Sequence, residues 1–82
     1  MNWINVKDDL PKLSDYIYAV SDKVLIVYKF NDKLRVSTGY LNRDIVRGKE
    51  VIRWKDDEGY IMHYEVLYWA PLPKPPEVDA DD

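Results

Sequence analysis

The side chains from which this 82-residue chain could build a reactive centre are few: one histidine, His63, three serines, no cysteine, and two short acidic runs, Asp8-Asp9 and Asp56-Asp57-Glu58. Acid–base or hydrolytic catalysis needs two carboxylates held at a controlled separation, and neighbours in sequence on a strand or turn point apart. Both runs therefore read as solvated turn formers. Asp56 to Gly59 lacks the alternate-position acids and distant glutamate of a calcium loop. His63 has no cysteine or second histidine with which to hold zinc, and Ser14, Ser21 and Ser37 lack a glycine-flanked elbow or a motif pairing them with it. Gly39, Gly48 and Gly59 are isolated, whereas a phosphate cradle needs clustered glycines at a helix start. No catalytic residue, metal or cofactor is expected, and the chain is not read as an enzyme.

Two constellations suit binding instead. Between Arg43 and Lys55 the chain carries Arg43, Arg47, Lys49, Arg53 and Lys55 against Asp44 and Glu50, with Trp54 among them. A basic strip with a stacking aromatic is how non-specific single-strand binders are built, and the competing reading is a solvated loop and an edge strand protected by charge. Eleven aromatic side chains are many for so short a chain. Tyr40, Trp54, Tyr60, Tyr64 and Tyr68 are the candidates for an exposed patch of the sort that marks a protein interface, although core and sheet-face roles would absorb most of the aromatics.

Composition limits the scaffold that positions these residues. The length allows one domain, and a chain this short buries only about 60 to 65% of the surface it exposes unfolded. With no disulfide or thiolate site open to it, stability must come from packing, a partner or self-association. Hydrophobic residues make up 46% and aromatics 13%, which argues against disorder. The net charge of −3 is concentrated in Glu77, Asp79, Asp81 and Asp82, so the body is near neutral. That disfavours a strongly basic nucleic-acid binder and equally an acidic mimic of a phosphate backbone. Met1 to Asn5 lacks a basic segment followed by an apolar one, and no run approaches the roughly 18 apolar residues of a membrane span, so the expected location is the cytoplasm.

The expected fold is mainly β, a small antiparallel sheet of about four or five strands. Lys23 to Phe30 is apolar on both faces and belongs at the centre of a sheet. Asn31-Asp32-Lys33 supplies turn chemistry, and Leu34 to Leu41 alternates, with Leu34, Val36, Thr38 and Tyr40 on one face. These two strands should form a hairpin. Asn42 to Gly48 reads as a loop before a short strand, Glu50 to Trp54, and Lys55 to Gly59 as the next turn. The chain returns through Tyr60 to Tyr64 into a second doubly apolar strand, Glu65 to Ala70. Residues 11–23 are ambiguous: Leu13, Ile17 and Val20 fit one helix face behind a Ser14 cap, while Tyr16, Tyr18 and Val20 alternate as a strand would. A short helix or turn is expected there, which would make the fold α+β.

The ends are the most distinctive part. Trp3-Ile4-Asn5-Val6 gives a short extended start, stopped at Leu10-Pro11. Trp69-Ala70-Pro71-Leu72-Pro73-Lys74-Pro75-Pro76 must leave any central strand, because proline lacks a backbone donor and fixes φ, and should run on as polyproline II. Together with Val24-Leu25-Ile26-Val27, Gly39-Tyr40 and Trp54, these segments resemble the domain of unknown function 551 family over residues 3–76. Its pattern looks like W-I-x-V-x-x-x-L-P, V-L-V, G-Y-Y, a further tryptophan and H-W-M-P-L-P-x-P-P. Tyr68 stands where the family usually has histidine, Ala70 where it has methionine, and Lys12 to Asp22 is longer than the common form. The resemblance implies a small β-rich fold and an origin in bacteriophage or prophage genomes, and carries no established activity.

On this reading residues 1–76 form one domain closed by a strap of Trp3, Trp69, Pro71, Pro73, Pro75 and Pro76, and residues 77–82 form an acidic, disordered tail. A free proline-rich ligand peptide is the alternative to the strap. The expected function is that of a small phage- or prophage-type accessory protein that binds a host or phage protein, an inhibitor of a host protein being one form of it. The alternative is weak nucleic-acid binding through the basic strip. No membrane role is expected, and a homo-oligomer remains open.

Overall fold

Strands dominate the chain because its β-branched and aromatic residues fall in short runs separated by residues able to turn. The computed structural model describes residues 2–73, so Pro75, Pro76 and the expected tail at 77–82 lie outside the described residues. Five strands form one wholly antiparallel, curled sheet: β1 (Ile4–Asn5), β2 (Val24–Phe30), β3 (Lys33–Val46), β4 (Lys49–Asp56) and β5 (Val66–Pro71). Their order across the sheet is β1-β5-β2-β3-β4, which puts the two doubly apolar strands side by side near the middle.

Both hairpins are closed by two-residue turns in the left-handed region, whose twist matches that of the strands they join. Asn31 and Asp32 (φ 48° and 62°) connect β2 to β3, with Phe30 opposite Lys33. Arg47 and Gly48 (φ 52° and 76°) connect β3 to β4, with Val46 opposite Lys49. The second turn corrects the expected loop at 42–48. Polar residues there continue β3 to Val46, because the ladder with β4 pairs every backbone position from Gly39 to Val46 and outweighs weak strand propensity.

Of the short helix or turn expected in residues 11–23 the turn forms and no helix does: the Ala19 N–H donates to the Tyr16 carbonyl at 3.1 Å. Ile17 and Val20, two members of the apolar spacing, are exposed, and Ser14 Oγ accepts only a distant bond from the Tyr16 N–H at 3.4 Å. Instead residues 19–21 run beside the second half of β3. Ser21 N–H donates to the Leu41 carbonyl (2.8 Å) and Arg43 N–H to the Ala19 carbonyl (2.9 Å). The Leu41 N–H is taken by the Ser21 hydroxyl oxygen at 2.9 Å, so a side chain supplies a rung of the ladder. Residues 60–64 likewise form no full strand; Tyr60 and Met62 bond to Asp56 and Trp54, adding one short pairing outside β4.

Register assigns the faces. Ile4, Trp69 and Ile26 are aligned across β1, β5 and β2, and Val24, Val66 and Trp69 complete a buried cluster with Ile26, which is wholly enclosed. Val6, Tyr28, Trp54 and Met62 pack around it, and this is the inner face. Both long connections cross it: the Trp69 indole N–H donates to the Asp9 carbonyl at 2.9 Å, and Tyr64 stacks on Tyr28 at 5.6 Å. Gly39 sits in this layer where an added Cβ would lie 2.5 Å from the Lys55 carbonyl oxygen and 3.2 Å from Ile26 Cδ1. Only glycine fits there.

Candidate functional site

With both connections on the inner face, the outer face keeps what the sequence placed on it. In antiparallel pairs directly opposite residues share a face, so Val36, Val27 and Tyr68 form one row across β3, β2 and β5. Thr38, Leu25 and Ala70 form the next, and Leu34 extends the patch beside Lys29. Val27 and Ala70 are buried within it, whereas Leu34 is 61%, Val36 60% and Tyr68 36% exposed. A one-sided sheet ordinarily turns polar residues to water, and this one presents aliphatic and aromatic groups at its centre.

Charged groups border that patch. Lys29 Nζ lies 3.8 Å from Asp32, and Lys23 Nζ lies 3.2 Å from Asp57. The Thr38 hydroxyl donates to the other Asp57 oxygen. That hydrogen bond, with help from Lys23 and against some desolvation, holds the Asp57 carboxyl below its ordinary value.

The five aromatic candidates do not form one surface. Tyr68 belongs to the outer row. Tyr40 is on the same side of the sheet but further along β3, beside Val20, Ser21 and Lys23. Trp54 turns inward and packs against the core. Tyr60 and Tyr64 line an open hollow of about 670 Å³ with Lys55, Met62 and His63. Tyr64 is further committed to Tyr28 and meets Phe30 edge-on at 5.0 Å, and the Arg35 guanidinium lies 4.9 Å over the Phe30 ring. Leu34, Val36, Leu25, Val27 and Ala70, absent from the candidate set, are the outer patch's aliphatic members. Their signal was the pairing of an alternating strand with one apolar on both sides.

The basic strip divides in the same way. Arg43 points inward, where Nη1 donates to the Ser14 carbonyl at 2.7 Å and the Tyr16 carbonyl at 2.8 Å, pinning residues 14–16 to β3. Its Nε lies 2.6 Å from Glu50 Oε1, a charge contact without hydrogen-bond alignment. Arg47 occupies the turn. Lys49, Arg53 and Lys55 share the outer face of β4, with Lys55 Nζ 3.8 Å from Asp44.

At the ends, Ile4 is paired with Trp69 and Asn5 with Tyr68. Trp69 is buried and shares a hollow of about 420 Å³ with Pro11, Val24, Pro71 and Leu72. Trp3, Pro71 and Pro73 are exposed, and Pro71 ends β5 opposite Val24.

Among the described residues no three histidine or acidic side chains converge as metal ligands would, and no helix is long and apolar enough to cross a membrane. A family model described as protein of unknown function (DUF551) matches residues 2–77. No curated protein and no solved structure matches the chain. The match spans nearly the whole sequence, and the chain belongs to that family.

Proposed function

We propose that this member of the DUF551 family is a protein-binding module of the cytoplasm, an accessory protein of phage or prophage type that docks on a host or phage protein through the outer face of its sheet. One observation carries the reading: the row Val36–Val27–Tyr68, flanked by Leu34 and Leu25, lies at the centre of the sheet while both long connections cross the other side. Covering such a patch removes apolar area from water, the main drive for association. The ion pairs Lys23–Asp57 and Lys29–Asp32 sit where a polar rim would.

Inhibition of a host protein is one form this binding would take. The test compares proteins retained from bacterial lysate by the full chain and by a Leu34→Lys/Val36→Lys variant with an unchanged melting temperature. A protein held by the first and released by the second supports the reading. Identical retention by both, or none by either, overturns it. Nuclease treatment adds the nucleic-acid alternative, which predicts species lost with the nucleic acid and retention that falls steeply with salt.

A further inference from the structure

β4 carries an unfinished ladder. Arg43 N–H and the Leu41 carbonyl point away from β4, toward residues 19–21, so Leu41–Trp54 and Arg43–Ile52 are the positions of the β3–β4 pairing that exchange no bonds. By the same alternation, the backbone N–H and C=O groups of Glu50, Ile52 and Trp54 face outward from the sheet. The chain uses the far end of this edge itself, since Met62 N–H donates to the Trp54 carbonyl (2.9 Å) and Asp56 N–H to the Tyr60 carbonyl (2.9 Å). It then turns away at His63. Among the described residues nothing meets the backbone of Glu50 or Ile52.

Such an edge is usually blunted by proline, a bulge or a cover. This one has no proline from Lys49 to Asp56 and pairs regularly with β3. Charge is the device present, and it selects. A second copy adding antiparallel must keep inner and outer residues on their faces, which leaves registers centred on Val51 or Ile52 in the free stretch. The first sets Lys49 against Arg53, and the second sets Lys49 against Lys55. Both are like-charge pairs on one face, and those destabilise pairing.

We propose that the free edge of β4 accepts an extended acidic segment of another protein as an added strand, antiparallel to β4 and continuing the line begun by residues 60–62. Its backbone completes the bonds of Ile52 and Glu50. Its outward side chains lie opposite Arg53, Val51 and Lys49, which calls for an acid, an apolar residue and a second acid four positions after the first. Its inward side chains lie opposite Ile52, which is 46% exposed, and Glu50, already engaged by Arg43, so an apolar and then a small polar residue fit. Backbone bonds would supply affinity and the charge pattern specificity, as in other strand-addition complexes. The site is separate from the Leu34–Val36 patch and does not depend on it.

The probe is the peptide acetyl-Glu-Val-Val-Thr-Glu-Thr-amide, which begins opposite Arg53, just past the slot that Met62 fills beside Trp54, titrated into the isotope-labelled full chain. The expected result is saturable binding with slowed exchange of the Glu50 and Ile52 amides. Replacing both glutamates of the peptide by lysine should weaken binding about tenfold. The Lys49→Glu/Arg53→Glu variant should weaken it about tenfold, each exposed pair being worth a fraction of a kcal/mol or more. N-methylation of the peptide's first valine and first threonine should abolish it with the charges intact. The Leu34→Lys/Val36→Lys variant should bind normally, so failure here and failure of the outer-face reading are distinguishable. The proposal is overturned by absence of binding, by equal binding of the lysine peptide, or by binding that leaves those two amides unprotected. Self-association through β4, or salt-sensitive capture of a single-stranded oligonucleotide at Lys49 and Arg53 in preference to the peptide, would overturn it too.

Discussion

Replacing Ser21 by alanine isolates the rung that a side chain lends to the sheet. The change deletes one oxygen and leaves no cavity of consequence, so its cost is that of the bonds alone. Ser21 Oγ accepts the Leu41 N–H at 2.9 Å and donates to the Asp22 carbonyl at 2.8 Å. Asp22 is exposed and its carbonyl is rehydrated, whereas Leu41 is 2% exposed and its N–H has no water to turn to. A buried donor left unsatisfied costs about 1–3 kcal/mol. In a domain of this size each kcal/mol corresponds to roughly 4–8 °C in melting temperature, so Ser21→Ala should lower Tm by about 5–20 °C. Urea unfolding followed by circular dichroism gives the free energy, and hydrogen exchange should show the Leu41 amide losing protection beyond the global change. Ser14→Ala, which removes only an exposed 3.4 Å contact, should cost under about 0.5 kcal/mol. A loss under about 0.5 kcal/mol for Ser21→Ala would refute the idea that this hydroxyl replaces a backbone partner.

Three further outcomes are expected. Gly39→Ala forces a Cβ to within 2.5 Å of the Lys55 carbonyl oxygen and should cost about 1–3 kcal/mol in urea unfolding; a neutral result would mean β3 and β4 part easily at that point. Trp69→Phe keeps an aromatic in the core but loses the bond to the Asp9 carbonyl and part of the ring, so a destabilisation of about 1–3 kcal/mol is expected, together with faster proteolysis of residues 6–12. Asp57 titrates below 3.8 chiefly because of the Thr38 hydroxyl, so the stability it contributes is present above 3.8 and disappears as pH falls through the depressed value. Thr38→Val should raise the Asp57 pKa toward 3.8 in a carboxyl NMR titration, and an unmoved value would show that the hydroxyl is not its main influence.

Short-range patterning was enough to identify the class of this protein and most of its strands. The doubly apolar runs 24–30 and 66–70 had to lie inside a sheet, and Asn31-Asp32 had to turn, because side-chain period and backbone preference are local properties. The matched ends belong with them: the tryptophans and prolines of residues 3–11 and 69–73 carried the resemblance to the family, and in this chain β1 pairs with β5. What the sequence misjudged depended on partners far along the chain. Residues 42–46 are strand because β4 lies beside them, and residues 19–21 are extended because β3 offers them a ladder.

The faces were the hardest to read. Leu34 and Val36 alternate like core residues, and they lie outside because the long connections cross the inner face at Trp69 and Tyr28. Arg43 belongs to the basic strip by sequence, yet one step of alternation turns it inward to carbonyls 27 and 29 residues away. Sequence alone therefore determined the β class, the central strands and the approximate set of aromatic and basic residues. Which of them face solvent, and which edge is left unpaired, was decided only when the chain closed on itself, because a pleat fixes that neighbours point apart but not which side the rest of the chain will cover.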